Sequence, residues 1–400
     1  MALTKVTSGM RTLATDEVLT ANINDDAVTT AKVLDDAVTT AKVLDDAVTA
    51  AKLADSAYLA NRNIVINGAM QVAQRSASLA SVTTGGYKTL DRWKLGYETA
   101  GTWTLSRDSE SPDGFGNSFK FDCTTANASL SSNSFLAFSQ QFEGQDLQQL
   151  KKGTASAESV TLSFWVRSTL TGTHIVELYD QDNNRQISGS YTISVADTWE
   201  KKSITYAGDT TGAFDDDNAK SLFVQFWLAA GTDYSSGTLN TSWASATGVN
   251  RAVGQVNTAS STSNNFYITG IQLEVGSTAT PFEHKTYADE LRACQRYFEK
   301  QVSGSAYGEF GNGYAESASQ SYINVKFAVE KRANPSYVGA ALRVVNQGAA
   351  MIVTGESVDQ GGTQMTKLSL TGSGGLTTAR ATMCSANNNA TANMQWDAEL

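Results

Sequence analysis

The side chains able to do chemistry in this 400-residue chain are few, and their spacing narrows the options further. There are two histidines, His174 and His284, and three cysteines, Cys123, Cys294 and Cys384. A Ser-His-Asp or Cys-His centre would have to use one of those histidines. Neither lies near a GxSxG elbow or a catalytic cysteine signature, and no HExxH, Walker A or GxGxxG-to-helix pattern occurs. Both histidines therefore read as structural. The cysteines are widely spaced and odd in number, so they make neither a zinc pattern nor a disulfide framework. Assembly in a reducing cytoplasm is expected.

Carboxylates are plentiful. Asp215, Asp216 and Asp217 with Asn218 form a dense oxygen cluster able to suit Ca²⁺, which takes six to eight oxygens. The spacing is not that of an EF-hand loop, and a solvated turn is the simpler reading, so no metal and no cofactor are expected. A glycosidase needs two acids across a sugar, and nothing in the sequence singles out such a pair. The chain is expected not to be an enzyme.

Aromatic side chains are more informative. Trp165, Tyr179, Trp227 and Tyr267 fall on or near strand faces opposite the main aliphatic set. Rings on such a face can stack on the apolar C–H faces of sugars while Asn, Asp and Gln meet the hydroxyls; burial by a second sheet, a loop or a neighbouring subunit is the competing reading. Trp243 and Tyr234, in a long loop, are the better candidates for exposed rings. Towards the C-terminus, Tyr307, Tyr314, Tyr322 and Trp396 sit among Gly, Ser and Asn, the composition of an adaptable contact surface. The candidate ligand-binding set is thus Trp165, Trp227, Tyr234, Trp243, Tyr307, Tyr314, Tyr322 and Trp396.

The elements that must position these residues follow from pattern. At 41% hydrophobic and 18% charged, below the usual charged fraction of about 25%, the chain has enough apolar material for cores and a polar, β-like remainder. Net charge is −10, and the segments 1–60, 61–285 and 286–400 carry −4, −5 and −1, so no basic face for nucleic acid exists. Met1–Ala14 has no apolar leader pattern, and the longest apolar run, Leu222–Ala230, is too short to span a bilayer. Neither nucleic-acid binding nor membrane insertion is expected.

Residues 25–54 repeat with a ten-residue period, DDAVTTAKVL twice and then DDAVTAAKLA. Ten residues is about 2.8 helical turns, so each copy would rotate an apolar stripe by roughly 80° on one continuous helix, a poor fit to a coiled coil. Each copy is too small to bury a core alone. Val28, Val38, Val48, Leu34 and Leu44 are therefore expected to meet copies from neighbouring chains in a thin shaft, with a flexible acidic linker as the alternative.

Residues 61–285 contain period-2 runs, such as Val160-Leu162-Phe164-Val166 against Thr161-Ser163-Trp165-Arg167, separated by Gly, Asn, Asp and Ser clusters. Further runs include Tyr191-Ile193-Val195, Leu222–Leu228 and Ile271-Leu273-Val275. An antiparallel jelly roll of eight or more strands is predicted. Thr286–Lys300 then places Tyr287, Leu291, Cys294 and Phe298 at spacings of 4, 3 and 4, which predicts a short neck helix over 286–302 with an oligomer seam. Residues 303–400, with short strands around Ile323–Val329, Val338, Leu342–Val344, Met351–Val353, Leu368–Leu370 and Ala379–Cys384, predict a second, smaller β domain at the tip.

Taken together these pieces resemble bacteriophage tail fibre proteins. The repeats at 25–54 are of the kind that follows their adaptor segment. RNIVINGAMQVAQRS at 62–76, followed by Asp91-Arg92-Trp93, looks like the start of their middle domain, and ITGIQLEVGSTATPFEHKTYADELRACQRYFEK at 268–300 looks like its end and the neck. SFWVRSTLTGTH and ADTWEKKSITYAG are similar to stretches of carbohydrate-binding-module jelly rolls. The resemblance covers about residues 15–300 and leaves the last hundred unmatched. It implies a homotrimer on a virion tail, assembled in the host cytoplasm, held by tail adaptor or nozzle proteins through its N-terminus. It also implies non-catalytic recognition of a host-surface receptor, a glycan or a protein. Two alternatives stay open, a purely structural spacer and a glycan depolymerase.

Overall fold

In the computed structural model, residues 61–400 are described. The shaft positions Val28, Val38, Val48, Leu34 and Leu44 lie outside the described residues. Thirteen strands come first among those that are described: β1 (Ser78–Val82), β2 (Gly86–Tyr87), β3 (Lys94–Glu98), β4 (Thr102–Asp108), β5 (Ser118–Thr125), β6 (Phe135–Glu143), β7 (Val160–Ser168), β8 (Gly172–Asp180), β9 (Arg185–Ile193), β10 (Glu200–Tyr206), β11 (Lys220–Ala230), β12 (Ala244–Ser245) and β13 (Asn265–Val275). They form two antiparallel sheets, β1-β4-β5-β13-β7-β10 and β12-β9-β8-β11-β6-β3-β2. Between them lies the core that the period-2 pattern requires. Val160, Leu162, Phe164 and Val166 of β7 point inward, and so do Val176 and Leu178 of β8 and Leu222, Val224 and Phe226 of β11. Phe226 joins the sheets, stacked on Phe138 at 5.0 Å and edge-on to Phe164 at 5.1 Å. The predicted jelly roll is present. Strand β9 ends at Ile193, so Val195 falls outside it and is exposed rather than alternating inward.

The two sheets cover their outer faces differently. Over the β8–β11 face folds the segment after β11, which contains the helical turn α1 (Thr232–Ser235). It closes a small cluster of Ala137, Ile175, Trp227 and Ala252. Arg251 from this segment grips the buried Glu177 carboxylate with two nitrogens, at 2.5 and 3.1 Å. Across β7, β10 and β13, the outer face of the other sheet is left partly open.

The predicted neck is shorter than expected. Helix α2 spans Tyr287–Gln295, started by Thr286, whose hydroxyl accepts from the Asp289 amide. It cannot continue, because Tyr297 is packed under the Arg92 guanidinium, 3.4 Å from its ring, and Phe298 begins strand β14 (Phe298–Val302). The buried side of α2 carries Glu290 and Cys294. Cys294 and Phe298, expected on an oligomer seam, are spent inside their own chain, while Leu291 is half-buried and Tyr287 is 55% exposed. A seam built from all four residues is therefore corrected. The 3.5-residue pattern here reflects a helix of about two and a half turns followed by a strand.

After β14 come β15 (Glu309–Ser317), β16 (Gln320–Lys326), β17 (Ser336–Ala340), β18 (Leu342–Asn346), β19 (Ala349–Gln360), β20 (Met365–Gly372), β21 (Ala381–Ala386) and β22 (Asn393–Asp397). Six of them close a barrel in the order β15-β16-β20-β19-β18-β21, and β14-β22-β17 form a small sheet. Ile323, Val325, Val344, Leu368, Leu370 and Cys384 fill the barrel core, and Trp396 packs with Phe327 and Tyr337. All three cysteines are buried and unpaired. No helix among the described residues is long and apolar enough to cross a membrane.

Candidate functional site

A cleft of about 620 Å³ opens on the outer face of β7, β10 and β13. Its floor follows from alternation. With Leu162, Phe164 and Val166 turned to the core, Ser163 and Trp165 must face outward. Lys201 stands directly across from Trp165 on β10 and belongs to the same face. On β13 the register shifts between Thr269 and Gln272, and Gly270 sits in this bulge at φ +62°, a conformation that favours glycine.

The walls are two loops, each carrying one of the chain's three prolines. Pro112 precedes Asp113–Phe115, and Pro281 begins Pro281–His284. In the first wall the Phe115 amide donates to the Pro112 carbonyl, and the Ser111 hydroxyl donates to the Phe115 carbonyl at 2.6 Å. In the second, the Glu283 amide donates to Gln272 Oε1 at 2.8 Å, and the Glu283 carboxylate accepts the backbone amides of Asn61 and Asn63 at 2.5 and 2.8 Å. Arg62 donates to the Pro281 carbonyl at 3.0 Å. Loops fixed this way hold a three-ring cluster over the floor: Phe115–Phe282 at 5.1 Å, Phe115–His284 at 5.2 Å and Phe282–His284 at 4.9 Å.

The cleft therefore combines apolar ring surface and the floor hydroxyl of Ser163 with a rim of Arg62, Lys201 and Asp113. It offers both donors and acceptors around flat hydrophobic faces, a composition suited to a polar, ring-shaped ligand.

Of the residues expected to bind ligand, only Trp165 lines this cleft. Trp227 and Trp396 are 1% and 0% exposed, and their expected contact role is corrected: the segment after β11 covers the first, and Phe327 and Tyr337 enclose the second. Tyr234 packs on Trp227 and Phe135 at 5.3 and 5.2 Å, on the opposite sheet. Trp243 is half-buried against the sandwich core, its indole N–H donating to the Ala207 carbonyl at 2.8 Å. Tyr307 is half-exposed beside the Arg343 guanidinium, and Tyr314 and Tyr322 lie next to each other on the barrel.

Sequence reasoning missed Phe115, Phe282, Lys201, Arg62 and Gly270, and it assigned His284 a structural role. The available signal was the run Pro-Phe-Glu-His at 281–284, which brings a scarce proline, an aromatic ring and a scarce histidine into one short loop. His174 is buried, stacked on Tyr191 at 5.5 Å. Burial lowers its pKa to about 4. In the acidic loop, Asp217 accepts from the Ala219 amide, an ordinary turn contact, and the Asp215 amide donates to Asp182 of the loop after β8. Among the described residues, no group of three or more His, Cys, Asp or Glu side chains is placed to hold a metal.

No family model matches the chain, and no curated protein matches it. Similar solved structures include carbohydrate-binding modules and a phage tailspike domain. The enzymatically active domain of bacteriophage CBA120 tailspike protein 4 is 15% identical over 53% of this chain and 21% of its own, with a TM-score of 0.27. The chain thus spans about a fifth of that protein's length. The module TmCBM61, solved with β-1,4-galactotriose, is 12% identical over 54% of this chain and 99% of its own, at a TM-score of 0.26. The family 11 carbohydrate-binding module from Clostridium thermocellum, solved with a mixed-linked tetrasaccharide, is 10% identical over 52% and 99%, at 0.27. At these scores the similarities assign no function to this chain.

Proposed function

We propose that this chain is a non-catalytic glycan-binding subunit of a phage tail fibre, with the jelly-roll cleft as its receptor site. The observation that carries the reading is the cleft's make-up. Trp165 lies beneath the Phe115–Phe282–His284 cluster, with Arg62, Lys201 and Asp113 at the rim. A pyranose has one flat C–H face for an aromatic ring and an edge of hydroxyls that needs donors and acceptors together. This cleft supplies both.

Binding without cleavage is supported by the carboxylates. Glycan hydrolysis needs two acids free to act across one glycosidic bond. Of the two in the cleft, Glu283 is engaged by the Asn61 and Asn63 amides, which leaves Asp113 alone. The place on a virion tail and the homotrimer rest on the sequence. Repeats at 25–54 that cannot bury a core alone need partners, and the stretches at 62–76 and 268–300 resemble tail fibres.

Titration of the full chain with a panel of neutral oligosaccharides, followed by tryptophan fluorescence, tests the receptor site. Loss of one class of saturable sites in Trp165→Ala supports it. Equal binding by Trp165→Ala rejects the cleft. Released reducing ends on prolonged incubation would favour the depolymerase reading, and antibody labelling of virions checks the location.

A further inference from the structure

We infer that the C-terminal barrel carries a second surface for neutral glycans, built on Tyr314 and Tyr322 and separate from the jelly-roll cleft. It shares the ligand class proposed above but stands on different residues.

Alternation on β15 and β16 turns Ala315, Ser321, Ile323 and Val325 to the barrel core and leaves Tyr314 and Tyr322 outside. The two tyrosines are register partners, with ring centroids 5.5 Å apart. The strands approach closely because β15 has glycine at two positions. A Cβ at Gly313 would stand 1.6 Å from the Tyr322 carbonyl oxygen, and one at Gly311 would stand 2.4 Å from that of Asn324. The Ser321 hydroxyl donates to the Tyr314 carbonyl at 2.9 Å and fixes the hairpin further. The rings are thus held side by side by the backbone, on a face where the core makes no use of them.

Their surroundings are polar in a particular way. Asn312 and Asn324, also register partners, lie two residues along the same face and are exposed. Asn312 borders a shallow groove of about 320 Å³ that it shares with Gln347, Gly348 and Met383. On the other side, Lys367 Nζ sits 4.8 Å from the Tyr322 ring centroid and is tied to Asp359 at 2.6 Å. The only cation at the pair among the described residues is therefore already neutralised. The surface presents two aromatic faces and primary amides that pair with vicinal hydroxyls, and the lysine beside the rings is compensated by Asp359. That chemistry selects a neutral sugar over an acidic one. Two such sites on one chain would let a single glycan-coated surface engage both, and the second contact gains from effective concentration.

The test uses the full chain and a panel of neutral gluco- and galacto-oligosaccharides, read by saturation-transfer NMR and calorimetry. Trp165→Ala is expected to retain one class of sites. Adding Tyr314→Ala and Tyr322→Ala should weaken that class by about tenfold or more, while Tyr314→Phe with Tyr322→Phe keeps it, since stacking needs the ring and not the hydroxyl. If Trp165→Ala abolishes all binding and the tyrosine changes leave wild-type affinity unaltered, the barrel surface is rejected and the cleft stands. If the tyrosine changes instead alter the sedimentation coefficient, the face is covered by a second copy and the inference fails. A panel without any binding overturns both sites.

Discussion

Gly270 and Phe115 share one space: a Cβ at position 270 would lie 2.6 Å from Phe115 Cζ and 3.2 Å from Trp165 Cδ1. The absence of a side chain is what lets the first wall ring close over the floor of the cleft. Gly270→Ala is expected to act twice. Alanine at φ +62° costs about 1–2 kcal/mol, and the displaced Phe115 ring breaks its contacts with Phe282 and His284. A urea melt should register the first effect. Oligosaccharide titration should register the second as affinity weaker by about tenfold, on the scale of lost aromatic contacts. Wild-type affinity in this variant would show that Phe115 plays no part in binding.

Two tryptophans separate binding from stability. Trp165 is half-buried on an outer face, so Trp165→Ala should remove binding at the cleft, leaving only the barrel class of sites, while the melting temperature shifts little. Trp243 packs on the sandwich core and its indole donates to Ala207, so Trp243→Ala should lower stability by about 3 kcal/mol, the low end for losing a large packed aromatic, and leave binding intact. The reverse pattern would move the site to the loop after β11.

The two histidines can be told apart by proton NMR. Burial holds the His174 pKa near about 4, so its ring resonances should stay constant from pH 8 down to pH 5. The unfolded chain takes up that proton near the ordinary pKa of about 6.5, earlier than the folded chain can. The stability this group contributes is therefore complete above pH 6.5 and lost as pH falls through about 4. A His174 signal titrating near 6.5 would place the ring in solvent.

Asp91 acts with the opposite sign. It is fully buried, and desolvation raises its pKa to about 6 despite hydrogen bonds from Gln74 and the nearby Arg75 charge. Between pH 4 and 6 the unfolded chain releases this proton first, so stability falls across that window, by about 3 kcal/mol for a shift of about two units. Asp91→Asn removes the loss. The variant should therefore gain on the wild type as pH rises from 4 to 7 in denaturant melts, and parallel pH profiles for the two proteins would refute the assignment.

How much of this was legible in the sequence follows from the range of each interaction. The sandwich core was, because Val160 to Val166 announce a buried face with a period of two residues and every register partner repeats it. Trp165 was found by the same rule read on the other face. Phe115, Phe282 and Lys201 were not, since they reach Trp165 across about 50, 117 and 36 residues of sequence, distances over which periodicity says nothing. Trp227 and Trp396 misled for a related reason. Alternation tells which face a ring takes but not whether a loop later covers it, and the segment carrying Arg251 does so for Trp227. The neck failed at Phe298, where an apolar spacing of four fits a helix turn and a strand entry equally well, and only pairing with Asp397 on β22 decides between them.

The junction between the domains supplies the last prediction. Arg92 is fully buried and its guanidinium is paired with Glu399, stacks on Tyr297 and donates to the Gln141 carbonyl at 2.5 Å. Arg75 reaches Asp397 at 2.9 Å and Glu399 at 3.4 Å, and Arg332 donates to the Ala398 and Glu399 carbonyls. Jelly-roll charges are thus neutralised by residues from the far end of the C-terminal domain. Glu399→Gln leaves the Arg92 charge buried without its counterion, which should cost about 3–5 kcal/mol, whereas Arg92→Met with Glu399→Leu removes both charges and should recover most of that loss. Denaturant melts of the two variants give the comparison. The same contacts bear on any attempt to locate the receptor site by truncation: residues 61–300 alone would keep Arg75, Arg92 and Phe298 while losing Asp397, Glu399 and the whole of β22. Lost binding in that fragment would then report a destabilised jelly roll as readily as a missing tip. Point changes at Trp165 and at Tyr314 and Tyr322 avoid the confusion, and a melt of Glu399→Gln indistinguishable from wild type would restore truncation as a valid approach.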